Sequence, residues 1–129
     1  LNGVIFERKN AEGNIVFSRQ GEETVPELGD VVAEKDLVIR LFRFIKQVQG
    51  LSSLRDAQAK VVSVTLISPQ RISVQLSEGW LVYITPEKDF ERQGAKLDLV
   101  LQEKIPSSED RESLEYIDLR FGDKAFLKR

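Results

Sequence analysis

The chain has 129 residues, 41% hydrophobic and 31% charged, with a formal net charge of −2, which suits one soluble globular domain with a single core and not a disordered chain. It contains no Cys and no His, so Cys- or His-based zinc sites, cysteine nucleophiles, Ser-His-Asp triads and imidazole acid–base chemistry are excluded. The slightly acidic balance argues against a general nucleic-acid binder, which would carry a basic face.

In chain order, Gly3 to Lys9 is β-rich, Asn10-Ala11-Glu12-Gly13 supplies turn chemistry, and Asn14 to Ser18 predicts a second strand, together an N-terminal hairpin. Arg19 to Val25 is polar and predicts a loop. Pro26-Glu27-Leu28-Gly29 predicts a short anchor through Leu28 followed by a turn. Ala33 to Gln49 carries the strongest helical pattern: Leu37, Leu41, Ile45 and Val48 form a stripe that Val38, Phe42 and Phe44 widen. Asp30 or Asp36 is the candidate cap, and Gly50 stands at the C′ position.

Leu51 to Lys60 predicts a loop or short turn. Val61 to Ile67, Arg71 to Leu76 and Trp80 to Ile84 predict three strands with short joins. Ile72, Val74 and Leu76 alternate with polar neighbours, so one face is buried and one is wet. Thr85-Pro86-Glu87 has the chemistry of a helix start, with the helix running to about Glu103. Phe90, Leu97, Val100 and Leu101 lie near one face, and Gly94 weakens the helix locally. Ile105 to Ser113 predicts a surface loop. Tyr116 to Phe121, Gly122-Asp123 and Lys124 to Lys128 predict a closing β-hairpin, because Gly accepts the positive φ of primed turns.

The expected fold is α+β: a mostly antiparallel sheet with two helices packed on one face, ending in a C-terminal β-hairpin, all within a single domain over residues 1–129. The chain has no Met, even at position 1, from which we expect a processed product or a domain excised from a longer protein. No apolar run reaches the length of a membrane span, and no signal-peptide pattern is present.

With Gly122-Asp123 as the turn, Phe121 faces Lys124, Leu119 faces Phe126 and Ile117 faces Lys128. Leu119 and Phe126 are then expected on the core face, and Tyr116, Asp118, Arg120, Ala125 and Leu127 on the other. The plain reading is a core hairpin whose charges protect an edge. The functional reading is an edge that recruits another strand. Trp80 is an interface anchor or a core residue, and the usual burial of Trp favours the core. Glu109, Asp110 and Glu112 lack a spaced ligand pattern, so a solvated loop is expected there rather than a metal or acid–base site. Asp118 with Arg120 is expected to be a surface pair on one strand face. No Gly-rich phosphate loop is present, and no cofactor is expected.

The opening strands with Gly13 and Val16-Phe17, the Pro26-Glu27-Leu28-Gly29 segment, the meander from Arg71-Ile72-Ser73-Val74-Gln75-Leu76 to Ser77-Glu78-Gly79-Trp80, and the ending Tyr116-Ile117-Asp118-Leu119-Arg120-Phe121 resemble the β domain of the bacterial division proteins FtsQ and DivIB. The last motif is the specific one, and the likeness covers nearly the whole chain. It implies a non-enzymatic divisome scaffold, anchored by a single membrane span upstream of a POTRA domain. This domain would lie on the extracytoplasmic side at the septum. The implied partners are FtsB/DivIC and FtsL homologues, bound by strand addition at the C-terminal edge. The resemblance then assigns the backbone of Lys124, Ala125, Phe126, Leu127 and Lys128 to strand pairing. Phe121 and Leu127 would supply apolar contact, and Arg120 and Lys124 charge for an acidic segment. Relatives can carry further residues after this strand, whereas this sequence ends at Lys128-Arg129. The alternative from another class is an extracytoplasmic module binding cell-wall glycan or peptide, for which Trp80, Tyr83 and Tyr116 are the candidate aromatics. An enzyme would have to rely on carboxylate, Lys, Ser or Tyr chemistry, and no such constellation stands out.

Overall fold

The computed structural model describes residues 6–10, 13–19 and 28–129, with side chains from residue 35 onward. The elements are β1 (Phe6–Asn10), β2 (Gly13–Arg19), α1 (Leu28–Gln49), α2 (Ser52–Asp56), β3 (Val61–Ser68), β4 (Arg71–Leu76), β5 (Leu81–Ile84), α3 (Phe90–Glu103), β6 (Tyr116–Asp118) and β7 (Phe126–Lys128). The strands form one sheet in sequence order, β1 to β7. Neighbours are antiparallel except at β2–β3 and β5–β6. Those two joins are the ones bridged by α1 and α3, as parallel pairing requires a crossover. The α+β, mostly antiparallel architecture expected from the sequence is the one observed, with the short α2 added.

The alternation in β4 sets the layers. Ile72, Val74 and Leu76 are fully buried, and Gln75 is exposed. Across the sheet, Val64, Val74, Val82, Ile117 and Leu127 fall on one row through paired registers. This row faces the helices: Leu41, Phe44, Ile45, Val48, Leu54, Phe90, Leu97 and Leu101 join the same core. Each such aliphatic or aromatic side chain contributes about 1.5–3 kcal/mol on burial. Helices α1 and α3 run side by side in the same direction, since Arg40 reaches the Pro86 carbonyl (3.2 Å), Phe44 meets the Phe90 ring (5.9 Å) and Gln47 reaches the Glu91 carbonyl (3.2 Å).

Several local expectations are corrected. Leu28 and Gly29 lie inside α1 rather than in a turn, and Asp30 and Asp36 are helix-interior residues rather than caps. One glycine costs a helix only about 1 kcal/mol, too little to stop the run that follows. Pro26-Glu27, the start of the first strand from Gly3, the Ala11-Glu12 part of the first turn and most of the Arg19 to Val25 loop lie outside the described residues, while Arg19 ends β2. The segment after Gly50 contains α2.

Helix α3 starts at Phe90, not at Pro86. Asp89 caps it by accepting from the Glu91 N–H (2.8 Å). Thr85 is unavailable as a helix start because the Gln93 side-chain amide takes both its N–H and its C=O, each at 2.9 Å. Gly94, read as a weak point, is a close-approach position: a Cβ there would stand 2.6 Å from the Gln47 side chain.

The Ile105 to Ser113 segment is not simply a surface loop, because Ile105 and Arg111 are buried. The Arg111 guanidinium donates to both carboxylate oxygens of Glu78 (2.6 and 3.1 Å), to the Ile105 carbonyl (2.8 Å) and to the Ser53 carbonyl (3.4 Å). Glu78 also accepts from the Trp80 indole N–H (2.8 Å). One buried cation thereby ties the segment to α2 and to the β4–β5 turn. Glu109, Asp110 and Glu112 are exposed, as expected.

Candidate docking edge

The closing hairpin begins as the sequence predicts and then departs from it. The Lys124 N–H donates to the Phe121 carbonyl (3.0 Å), so Gly122 and Asp123 are the two central turn residues. Gly122 has φ +56°, where a side chain would be strained, at the position a II′ turn reserves for Gly. The strands, however, pair Tyr116 with Lys128, Ile117 with Leu127 and Asp118 with Phe126. Between Asp118 and Phe121 there are two residues, and between Lys124 and Phe126 only one. The extra residue slips the register by one, and a one-residue slip exchanges the faces.

Asp118 holds the slip in place. Its carboxylate accepts from the Arg120 backbone N–H (3.1 Å) and, in a two-pronged contact, from the Arg120 guanidinium (2.9 and 2.7 Å). Regular pairing stops there, so β6 ends at Asp118 rather than running to Phe121. The expected faces are therefore reversed after the turn. Leu127 and Ala125 are half-buried against the core, while Phe126 lies on the open face and is 48% exposed.

Phe121, 50% exposed, meets Phe126 edge-to-face at 5.6 Å, and the Arg120 guanidinium covers the Phe121 ring at 5.0 Å. The hydrogen bonds to Asp118 hold Arg120 charged even more firmly than an ordinary arginine. Asp118 and Arg120 thus form more than the expected surface pair, since Asp118 is buried. Lys124 and Lys128 are exposed, and Lys128 stands 3.9 Å from Glu115 in a solvent-screened pair. The structure brings Arg120, Phe121 and Phe126 into one cluster. Lys124 and Ala125 lead from the turn into β7, which carries Leu127 and Lys128.

The outward groups of β7 follow from its neighbour. The Leu81 N–H donates to the Glu115 carbonyl (3.0 Å) and the Leu119 N–H to the Tyr83 carbonyl (2.9 Å), so odd-numbered residues here turn toward β5. Backbone direction alternates along a strand, which turns Tyr116 and Asp118, and hence Lys128 and Phe126, into the β6–β7 ladder. Just before β6 the alternation is irregular, since the Glu115 N–H turns the other way from its own carbonyl and donates to the Lys128 carbonyl (2.7 Å), but that bond still turns the Lys128 carbonyl toward β6. The N–H and C=O of Leu127 therefore point outward from the last strand of the sheet.

Sequence reasoning missed the supports of this edge. From α3, the Lys96 ammonium donates to the carbonyls of Leu119 (2.5 Å), Gly122 (2.7 Å) and Lys124 (3.4 Å), and Lys88 donates to that of Arg120 (2.9 Å). Burial, with the charges of Lys88 and Arg92, pulls Lys96 below the usual lysine range against the opposing charges of Asp123 and Asp118. A helical lysine carries no sequence signal for such a role. On the open face the Tyr83 and Tyr116 rings meet at a tilt, their centroids 5.0 Å apart, with Arg71 5.2 Å from the Tyr83 ring. Trp80 is fully buried, which settles it as core. Among the described residues, no group of three or more Asp and Glu is placed to hold a metal ion.

An α+β domain whose sheet ends in a strand with outward-facing backbone groups, flanked by aromatics and cations, has the form of a protein–protein docking module. A family model described as cell division protein FtsQ/DivIB, C-terminal, matches residues 1–120. The chain belongs to the FtsQ/DivIB family, a family of non-catalytic division scaffolds, and its role is in cell division. A search of curated proteins returns no match. The family is associated with the membrane at the division site, and no helix among the described residues is long and apolar enough to cross a membrane.

Proposed function

We propose that this domain is a non-enzymatic scaffold module that takes up a strand from a FtsB/DivIC-type partner, together with FtsL, along the outer side of β7. The observation that carries the reading is the outward N–H and C=O of Leu127 on the terminal strand. Main-chain pairing supplies affinity in such complexes, and flanking side chains supply specificity. Phe126 and Phe121 border the edge on the open face, and Ala125 and Leu127 on the core face. Arg120, Lys124 and Lys128 would favour an acidic segment and speed its capture. In the whole protein, a single upstream span would hold the domain on the extracytoplasmic side of the septum.

The test is an NMR titration of the 129-residue chain with the extracytoplasmic segments of the FtsB/DivIC and FtsL homologues of its own organism. Saturable binding with shifts concentrated at Arg120 to Lys128 is the expected result. Absence of binding by the folded domain, or shifts centred elsewhere, would overturn it.

A further inference from the structure

The carbonyls of residues 119 to 124 leave the sheet where the register slips; that of Leu119 is part-buried and needs a donor, while the others face a more open surface. Most are met from α3 and the turn before it. Lys96 takes those of Leu119, Gly122 and Lys124, and Lys88 takes that of Arg120. That of Phe121 closes the turn with the Lys124 N–H. The segment held in this way carries Phe121 and Arg120 and leads into Phe126. Its own sequence supplies little rigidity, since Gly122 is its pivot and Phe121 through Lys124 are exposed.

We infer that Lys96 is a positioning residue for the docking edge: by gathering three loop carbonyls it sets the place of Arg120, Phe121 and the start of β7 without itself meeting the partner. The inference rests on the docking reading above. A partner that meets an already ordered edge avoids the cost of ordering it. Removing the ammonium therefore weakens binding through the free domain's disorder, not through a lost contact.

The test compares Lys96→Met, which keeps the aliphatic stem and removes the donors, with Lys96→Arg, which restores donors. Hydrogen exchange of the free domain gives the first readout. In Lys96→Met, amides of residues 119–125 lose protection and the Phe121–Phe126 ring-current shifts collapse, while β3 to β5 stay protected. Affinity for the FtsB/DivIC segment gives the second readout, falling on the order of tenfold in Lys96→Met and recovering largely in Lys96→Arg. Lys88→Met, which removes one exposed donor, shifts both readouts less and in the same direction, and serves if Lys96→Met does not fold.

A Lys96→Met domain with native loop protection, or one with a disordered loop and undiminished affinity, would overturn the inference. If the unaltered chain binds and Leu127→Pro abolishes that binding while Lys96→Met does not weaken it, only the positioning role falls. If the unaltered chain does not bind at all, the docking reading fails and the positioning role with it.

Discussion

Arg111 illustrates how one residue can bind distant parts of this chain together. Its side chain is fully buried and paired with Glu78. Removing Arg111 empties a fully buried site and leaves the part-exposed Glu78 carboxylate without its partner, so Arg111→Ala should destabilise the domain by about 2–5 kcal/mol in urea denaturation. Burial pushes the Glu78 carboxyl up, but hydrogen bonds from Arg111 and Trp80 and the guanidinium charge outweigh it and hold the group below its ordinary value of 4.5. A carboxyl with a lowered folded-state pKa contributes stability above its unfolded-state value, and that contribution is lost as pH falls through the folded value. Stability should therefore decline on acidification below about pH 4.5. In Arg111→Ala burial acts with less opposition, so the folded value moves back up toward the unfolded one and this acid-driven loss of stability shrinks. At the edge, Phe121 is half exposed and touches Phe126. Phe121→Ala should cost roughly 1 kcal/mol of stability or less, while weakening partner binding by more than that. Equal losses of folding and binding would mark Phe121 as merely structural.

At the scale of elements, α1 and α3 approach closely at Gly94. The glycine lowers helix propensity, but a Cβ would displace the end of the Gln47 side chain from its bond to the Glu91 carbonyl. Those effects oppose each other. Gly94→Ala alone should change stability by less than about 1 kcal/mol. In a Gln47→Ala background the obstruction is absent, and the same substitution should stabilise by about 0.5–1 kcal/mol, read from paired denaturation curves. A large loss in both backgrounds would mean that the helices, not one side chain, block the space. The C-terminal strand pair shows the same competition in the sheet. Its turn residues favour one register, and the Asp118 carboxylate, by capturing the Arg120 N–H, selects the neighbouring one.

For the molecule as a whole, the sheet runs in sequence order from β1 to β7, which makes β7 a terminal strand among the described residues. Leu127 has two separable roles there: its side chain packs on the core, and its backbone faces outward. Leu127→Ala removes packing and keeps the N–H, whereas Leu127→Pro removes the N–H at an edge position where Pro is tolerated. Isothermal calorimetry should find that the Ala variant binds the FtsB/DivIC segment within a fewfold of the unaltered chain and that the Pro variant does not bind. Binding by the Pro variant would rule out pairing through this strand.

The alternation of Ile72, Val74 and Leu76, the stripe from Leu37 to Val48 and the turn at Gly122-Asp123 are local patterns, and they determined the meander, the long helix and the closing hairpin. The family could likewise be read from the chain, through motifs such as Tyr116 to Phe121. What the chain alone did not determine depends on contacts between residues far apart in sequence. Thr85 looked like a helix start until the Gln93 amide occupied its backbone. Arg111 looked like a loop residue until Glu78, 33 positions away, gave it a buried partner. The face on which Phe126 and Leu127 lie was reversed by a single extra residue whose backbone is held by Asp118. Local periodicity fixes which segments are strands and helices. Only tertiary structure decides which polar groups find distant partners, and here those pairings shape the edge on which the proposed function rests.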